Sequence, residues 1–216
     1  MMSFDAQCKR CARLAGFLGE ARRAHPDYYA LPVPPFGDRK AALVVVGLAP
    51  GMHGANRTGR PFTGDYAGIL LFRTLHKIGF ASHAGSADPR DGLELKGCRV
   101  TNAVKCLPPM NKPEAREIRQ CNSFLATELA AVKPRAIVAL GAVAHRAVLM
   151  AYGLRPGDYP FRHHAVHPLA TPDRAKERRL YDSYHCSRYN TQTGRLTAAM
   201  FEAVFRDVRA FLSPPR

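Results

Sequence analysis

The glycine-rich segment between Gly47 and Gly68 contains two residues whose side chains suit catalysis or binding. Asp65 offers a carboxylate that can position or activate water, and Phe62 offers an aromatic face on which a planar ring can stack. The segment holds six glycines in twenty-two residues, a density that suits positive φ angles or close backbone approach to a ligand. The structural alternative is that Phe62 fills the core and Asp65 caps the following helix.

Three further side chains can bind a planar polar ring. His185 follows an apolar run and can donate a hydrogen bond, although a histidine in such a place more often belongs to the core or to a strand edge. Asn102 and Asn111 carry amides, which offer both a donor and an acceptor. The alternative for Asn102 is a satisfied amide at a strand end, and Asn111 with Glu114 three residues later is typical of a capping box.

Four of the six cysteines have spacings that suit a shared metal site. Cys8 and Cys11 stand three residues apart, Cys106 precedes two prolines, and Cys121 lies in a helix-like segment. Their thiolates can converge on one four-sulfur site, and spacing alone does not separate zinc from an iron-sulfur cluster. The remaining two, Cys98 and Cys186, read as small buried hydrophobes.

The balance of charge favours a polyanionic partner. Lys and Arg number 32 against 17 Asp and Glu, which gives a net charge of +15. Such a field attracts nucleic acid and makes that binding salt-dependent. The longest apolar stretch, residues 41–52, is too short to span a membrane, and the first residues lack the apolar core of a secretion signal. We therefore expect a cytoplasmic protein with reduced thiols and no membrane contact.

Alternating strand-like and helix-like segments must position these residues. Apolar runs predict four strands, at residues 43–46, 99–104, 136–140 and 180–185. Helical periodicity predicts five helices, at residues 8–24, 69–78, 114–132, 142–152 and 198–212. This order predicts an α/β fold: a single domain over residues 1–216, built as a three-layer α/β/α sandwich around a central, mostly parallel four-stranded sheet. The glycine segment then follows the first strand, where open α/β sheets place their sites.

The glycine segment does not match the common nucleotide-binding loops. Gly54 and Gly59 have the spacing of a phosphate-binding loop, but Arg60 and Pro61 stand where lysine and a hydroxyl residue are required. No intact G-x-G-x-x-G is present either. A loop that cradles a base or a backbone phosphate fits better.

Three long motifs in this order resemble the uracil-DNA glycosylase superfamily, specifically its family 5 branch. They are GLAPGMHGANRTGRPFTGD from Gly47, TNAVKCLPPMNKP from Thr101 and YHCSRYNTQTGRL from Tyr184. Related family 4 enzymes carry an acidic residue after the first glycine, whereas this chain has Leu48. That departure is typical of family 5 and shifts the catalytic weight to Asp65.

The resemblance implies a role for each candidate residue. Asp65 would organise the hydrolytic water or stabilise the cationic sugar, His185 would donate to O2 of the departing base, and Phe62 would stack on the flipped base. The backbone at Gly47, Leu48, Ala49 and Gly51 would approach that base, and either Asn102 or Asn111 would read its edge. The residues expected to contact DNA are Asn56, Arg57, Arg188, Asn190 and Arg195, with the loop at 189–195 entering the minor groove and filling the space that the base leaves.

The resemblance also implies a cofactor and an activity. It favours a 4Fe-4S cluster held by Cys8, Cys11, Cys106 and Cys121, and a monofunctional glycosylase that hydrolyses the N-glycosidic bond of uracil in DNA, leaving an abasic site. Hypoxanthine and other deaminated bases are further expected substrates. The expected partner is double-stranded DNA, with single-stranded DNA as a second form, bound by a monomer. The competing hypothesis is a non-enzymatic cysteine-metal protein that binds DNA or senses redox state.

Overall fold

A computed structural model describes residues 4–169 and 177–213 of the chain. Its sheet has six strands in the order β1-β3-β2-β4-β6-β5. The strands are β1 (Phe36–Gly37), β2 (Leu43–Gly47), β3 (Cys98–Asn102), β4 (Ala136–Leu140), β5 (Val166–Pro168) and β6 (Arg179–Ser183). The helices are α1 (Ala12–Ala24), α2 (Ala55–Thr58), α3 (Tyr66–Lys77), α4 (Ala115–Val132), α5 (Ala142–Ala151), α6 (Arg188–Gln192) and α7 (Ala198–Leu212).

The predicted parallel sheet is present as the centre of a larger, mixed sheet. Strands β3, β2, β4 and β6 pair in parallel, as the sequence predicted. The prediction of four strands was wrong, because β1 pairs antiparallel with β3 and β5 pairs antiparallel with β6. These edge strands are two and three residues long, so they carry no periodic signal of their own and are defined by their partners.

The sheet has an apolar cluster on each face, which confirms the α/β class. Along β2, Leu43 and Val45 pack on one face with α3 and α7, whereas Val44 and Val46 pack on the other with α4 and α5. This alternation is the two-residue period of a strand buried on both sides. A third cluster joins α1 and α4 and contains Cys106 and Cys121.

Most predicted boundaries differ from the structure by a few residues. Helix α1 begins at Ala12, with Cys11 at its N-cap, so Cys8 lies outside the helix. Strand β6 ends at Ser183, which leaves His185 in the segment that follows it. The predicted loop at 189–195 is partly helical, because α6 begins after Ser187, whose hydroxyl accepts from the Asn190 amide. The sequence also predicts a long loop at residues 153–178, and part of it, residues 170–176, lies outside the described residues.

Among the described residues, none of the helices is both long enough and apolar enough to pass through a membrane.

Candidate active site

The glycine loop, residues 47–68, leaves room for the Asp65 carboxylate. A Cβ at Gly51 would lie 2.5 Å from Asp65 Oδ1, and a Cβ at Gly54 would overlap the same carboxylate. Gly59 and Gly64 have φ angles of 73° and 72°, a region that glycine enters without strain. The glycine density is therefore explained by turn geometry and by packing against the protein's own side chains.

Phe62 is held against the end of strand β2. Its ring would lie 2.5 Å from a Cβ at Gly47, the last residue of β2, and its carbonyl oxygen occupies the space beside Gly68. Phe62 is buried and has a φ of 60°, which is uncommon for an aromatic residue. The residue thus belongs to the core, as the structural alternative held, and it also lines the pocket described below.

Asp65 occupies the N-cap position of α3, but its side chain makes no capping hydrogen bond. Oδ2 instead accepts from the backbone amide of Ala55, at 3.1 Å, across the glycine loop. Burial raises the pKa of the Asp65 carboxyl above its ordinary value, while the Ala55 hydrogen bond and the charge of Arg57 lower it. The simple capping interpretation is therefore wrong, and the carboxylate is held in a partly dry position.

His185 lies two residues beyond β6 and faces the same pocket. Burial lowers the pKa of its imidazole to about 4, so the ring is neutral at physiological pH. The backbone carbonyl of His185 accepts from Asn190 Nδ2 at 2.8 Å, which ties the residue to helix α6. A neutral imidazole retains one N–H donor.

The two candidate amides come from different kinds of structure. Asn102 is the last residue of β3, is buried, and pairs in register with Gly47 of β2. Asn111 is exposed and ends a short 3-10 turn with a φ of 56°. It does not form the predicted capping box, because Glu114 is itself the N-cap of α4 and pairs with Glu117.

These side chains surround one pocket of about 450 Å³. The lining residues that the sequence predicted are Leu48, Ala49, Gly51, Phe62, Asp65, Asn102, Asn111, His185 and Arg188. Tyr66, Ala67 and Ser187 also line it and were missed. Each lies within two residues of a predicted residue, so proximity to Asp65 and Arg188 was the available signal.

Gly47 and four of the predicted DNA contacts lie outside that lining. Asn56 is fully buried, with its Nδ2 directed at Met52 Sδ, so it does not reach the surface. Arg57 donates to the His53 carbonyl at 2.7 Å. Asn190 supports His185 through the bond already described.

Two arginines around the third motif lie over tyrosine rings. Arg188 lies over Tyr66, with its guanidinium carbon 5.0 Å from the ring centroid, and Arg195 lies over Tyr184 at 4.6 Å. Stacking of this kind leaves the edge of a guanidinium available to an anion.

Cys8, Cys11, Cys106 and Cys121 line a second, small cavity together with Arg10 and Lys105. All six cysteines are free thiols. Burial, together with the neighbouring cysteines, raises the pKa of the Cys106 thiol. Cationic or polar groups also reach the sulfurs: the Lys105 amide donates to Cys121 Sγ at 3.3 Å, and Arg10 Nε donates to Cys8 Sγ at 3.4 Å.

One compact group of potential metal ligands is found among the described histidines, cysteines and acids. It consists of His145, His167 and Asp182, whose ligand atoms lie within 4.8 Å of one another.

The group of His145, His167 and Asp182 is accounted for by hydrogen bonds. His145 Nδ1 lies 2.8 Å from Asp182 Oδ1, and His167 Nε2 lies 3.1 Å from Asp182 Oδ2. The group joins α5, β5 and β6, and β6 is the strand that precedes His185.

Comparison with known proteins gives a consistent result over most of the chain. The profile of the Uracil DNA glycosylase superfamily matches residues 34–209. The type-5 uracil-DNA glycosylase of Thermus thermophilus is 46% identical over 209 residues, covering 94% of this chain and 92% of the relative. The type-5 uracil-DNA glycosylase of Pyrobaculum aerophilum is 42% identical over 207 residues, covering 94% and 88%.

A type-4 relative matches over a shorter range. The type-4 uracil-DNA glycosylase of Pyrobaculum aerophilum is 36% identical over 124 residues, covering 57% of this chain and 56% of the relative. The similarity to type-5 proteins is thus both higher and more extensive, in agreement with Leu48 in the first motif.

Proposed function

The chain belongs to the uracil-DNA glycosylase superfamily, and we propose that the pocket around Asp65 and His185 is where it excises uracil from DNA. Excision hydrolyses the N-glycosidic bond and leaves an abasic site, the repair activity for which its type-5 relatives are named. The comparisons give no support to hypoxanthine or other bases as substrates, nor to the non-enzymatic alternative.

The observation that carries the proposal is the convergence of three distant motifs on one pocket. Asp65 comes from the glycine loop, Asn102 from the end of β3, and His185 from the segment after β6. Parallel strands bring these positions to one edge of the sheet, where open α/β folds bind their ligands. A pocket of about 450 Å³ is large enough for a base and part of its sugar.

The chemistry of glycosidic cleavage suits the two titratable groups. As the bond breaks, negative charge develops on uracil and positive charge on the deoxyribose. A neutral His185 donates a hydrogen bond to O2 of the base and so stabilises the developing anion. The Asp65 carboxylate stabilises the sugar cation and orients the attacking water.

Uracil is held by stacking and by amide hydrogen bonds. One face of the flipped base stacks on Phe62, and an asparagine pairs with its edge. Asn102 is buried and Asn111 is exposed. A base that failed to pair with Asn102 would therefore leave a buried polar group without a partner, whereas water could replace the base at Asn111. We favour neither, and the separate Asn102→Ala and Asn111→Ala variants will distinguish them by which loses discrimination between uracil and thymine.

DNA is the macromolecular partner, as the family name states. We propose that double-stranded DNA is bound by a monomer of one domain, with single-stranded DNA as a second substrate form, in the cytoplasm. The net charge of +15 supports salt-dependent phosphate binding. Arg188 and Arg195 are the proposed phosphate contacts, with Arg57 beside the pocket, and helix α6 with the following residues enters the minor groove.

We further propose that the four cysteines around the second cavity hold a 4Fe-4S cluster. The donor set is soft and the four thiols line one cavity. Such a cluster would tie the segment that leads into α1 to α4 and to the loop before α4, since Cys8 and Cys11 precede α1, Cys106 lies in that loop and Cys121 lies in α4. Equal iron and acid-labile sulfide without zinc is the expected composition, and stoichiometric zinc would refute it.

One experiment tests the proposed function directly. Purified protein is incubated in excess with a duplex that contains a single uracil opposite guanine, and abasic sites are revealed by alkaline cleavage. We expect strand cleavage at the uracil position, and an otherwise identical duplex with thymine opposite adenine serves as the control. Absence of cleavage at stoichiometric enzyme would contradict the proposal.

A further inference from the structure

Exposed apolar side chains are concentrated close in sequence to the residues that line the proposed uracil pocket. In the part of the chain that the structure describes, six large apolar residues are exposed. Tyr66 lines the pocket, Ile69 lies one turn further along α3, Met110 precedes Asn111, and Tyr189 follows Arg188. Four of the six therefore line the pocket or lie within three residues of a lining residue, and this apolar fringe is unfavourable in water unless something covers it.

Met110 is the most exposed of these side chains, at 81%. It sits in the turn Pro109–Asn111, where Met110 and Asn111 have consecutive positive φ angles of 54° and 56°. Left-handed backbone costs a residue such as methionine roughly 1–2 kcal/mol, whereas asparagine enters this region more readily. The strain therefore falls mainly on Met110, where glycine would avoid it.

The turn that carries Met110 is firmly held. Asn111 N donates to the Pro108 carbonyl at 3.1 Å, and Lys112 N donates to the Pro109 carbonyl at 3.0 Å. From outside the turn, Arg13 of α1 donates to the Lys112 carbonyl at 3.2 Å. Met110 is thus an apolar side chain presented by a fixed backbone next to a residue of the pocket.

We propose that Met110 inserts into the base stack of duplex DNA beside the flipped nucleotide. This inference rests on the proposed function, because it requires uracil to enter the adjacent pocket. Apolar side chains that enter a base step offset part of the cost of unstacking. Methionine is unbranched and polarisable, so it fits between bases of either type without selecting a sequence. The occupant of the apolar fringe is duplex DNA, for which the +15 charge provides the attraction.

The test compares uracil in a fully paired duplex with uracil in an unpaired bubble. For Met110→Ala we expect the single-turnover rate on the duplex to fall about tenfold more than the rate on the bubble, since only the paired base must be extruded. Met110→Leu should restore most of the duplex rate. Met150→Ala, an exposed methionine on α5 outside the pocket lining, is the matched control.

Base flipping is measured separately from cleavage. The probe is a duplex with 2-aminopurine next to 2′-fluoro-deoxyuridine, a nucleotide that resists glycosidic hydrolysis. Binding of the wild type should raise 2-aminopurine fluorescence, and Met110→Ala should raise it less. Equal duplex rates and equal fluorescence for wild type and Met110→Ala would overturn the inference, as would an equal loss on duplex and bubble. Failure of the wild type to release uracil from either substrate would instead overturn the proposed function.

Discussion

The proposed uracil pocket and the cysteine cavity both bury ionisable groups, but the functions proposed for them differ in when an opposite charge would be present. In the pocket, burial raises the pKa of Asp65 and lowers that of His185, so both neutral forms are favoured. In the cavity, burial raises the pKa of Cys106 and of Cys121, with neighbouring cysteines adding to the effect. To ionise there, the thiols would need a permanently bound cation such as the proposed cluster, whereas in the proposed mechanism Asp65 meets a positive charge only while the sugar is cationic.

The comparison suggests that desolvation of ionisable groups can serve catalysis in the pocket and cofactor insertion in the cysteine cavity. In the proposed mechanism the free enzyme carries an unfavourable charge at Asp65 that the transition state relieves. At the cysteines the proposed cluster would relieve the unfavourable charge once, when it is inserted. The predictions below test whether the two regions separate in this way.

Asp65→Asn should have the largest effect. Loss of the carboxylate removes the group that meets the sugar cation, so we expect the single-turnover rate of uracil release to fall by about 10³-fold with DNA affinity retained. Its control is Asp27→Asn, an exposed acid outside the pocket lining. A variant that keeps more than a tenth of the rate would remove Asp65 from the mechanism.

The same Asp65 variant should be more stable than the wild type at neutral pH. A carboxyl whose folded pKa is raised binds its proton more tightly in the native state, so its ionisation above that pKa costs stability. An amide at this position has no such cost. Chemical denaturation at pH 7 measures the difference, and a destabilised variant would argue that Asp65 is structural.

His185→Gln should have the next largest effect, with a rate loss of about 10²-fold. The pKa of about 4 predicts that protonation of this histidine does not limit activity at pH 6–8. The unfolded state binds the proton from about pH 6.5 downward while the native state does so only near pH 4, so stability is lost as pH falls through this window.

The free energy of unfolding tests that linkage. Between pH 7 and pH 5 the wild type should lose more stability than His185→Gln, by an amount on the order of 2 kcal/mol. Parallel pH dependence in the two proteins would show that His185 is more solvated than its position indicates.

Cys121→Ser should have a smaller effect on the rate of uracil release and a large effect on the iron content of the protein. We expect loss of most bound iron and a lower melting temperature, with a rate on saturating DNA within about tenfold of the wild type. Cys98→Ala, which removes a buried thiol of β3, should keep its iron. A rate loss as large as that of Asp65→Asn in a still folded protein would break the proposed separation of the two regions.

Arg57→Ala should have the smallest effect. The charge of Arg57 lowers the pKa of Asp65, so its removal should move the acid limb of the pH–rate profile to higher pH. We expect a rate loss of about threefold at pH 6 and little change at pH 8. An unshifted limb would mean that the arginine acts only through its hydrogen bond to His53.

The sequence predicted the central elements better than the edges. Residues 136–140 and 198–212 match β4 and α7, because long apolar periodicity specifies burial. Strands β1 and β5 were missed because their pairing is decided by neighbours in space. Helix α6, five residues long, had only the Ser187 cap as a signal.

The pocket lining was predicted mainly from the resemblance, and its exceptions have physical causes. Asn56 lies in a motif, yet the turn of α2 points it inward, which no spacing argument reveals. The capping-box interpretation of Asn111 rested on Glu114 three residues later. In the structure Glu114 is itself the N-cap and forms the capping box with Glu117. Tertiary packing decided both.

The close packing of Gly54 against Asp65 makes the residue types at these two positions depend on each other. Any sequence with a side chain at position 54 must either lose or displace the carboxylate eleven residues later, because the two would occupy the same space. The absence of a side chain at Gly54 is therefore required by the carboxylate of Asp65. Among diverged descendants of this chain, a change at one of the two positions should be accompanied by a change at the other.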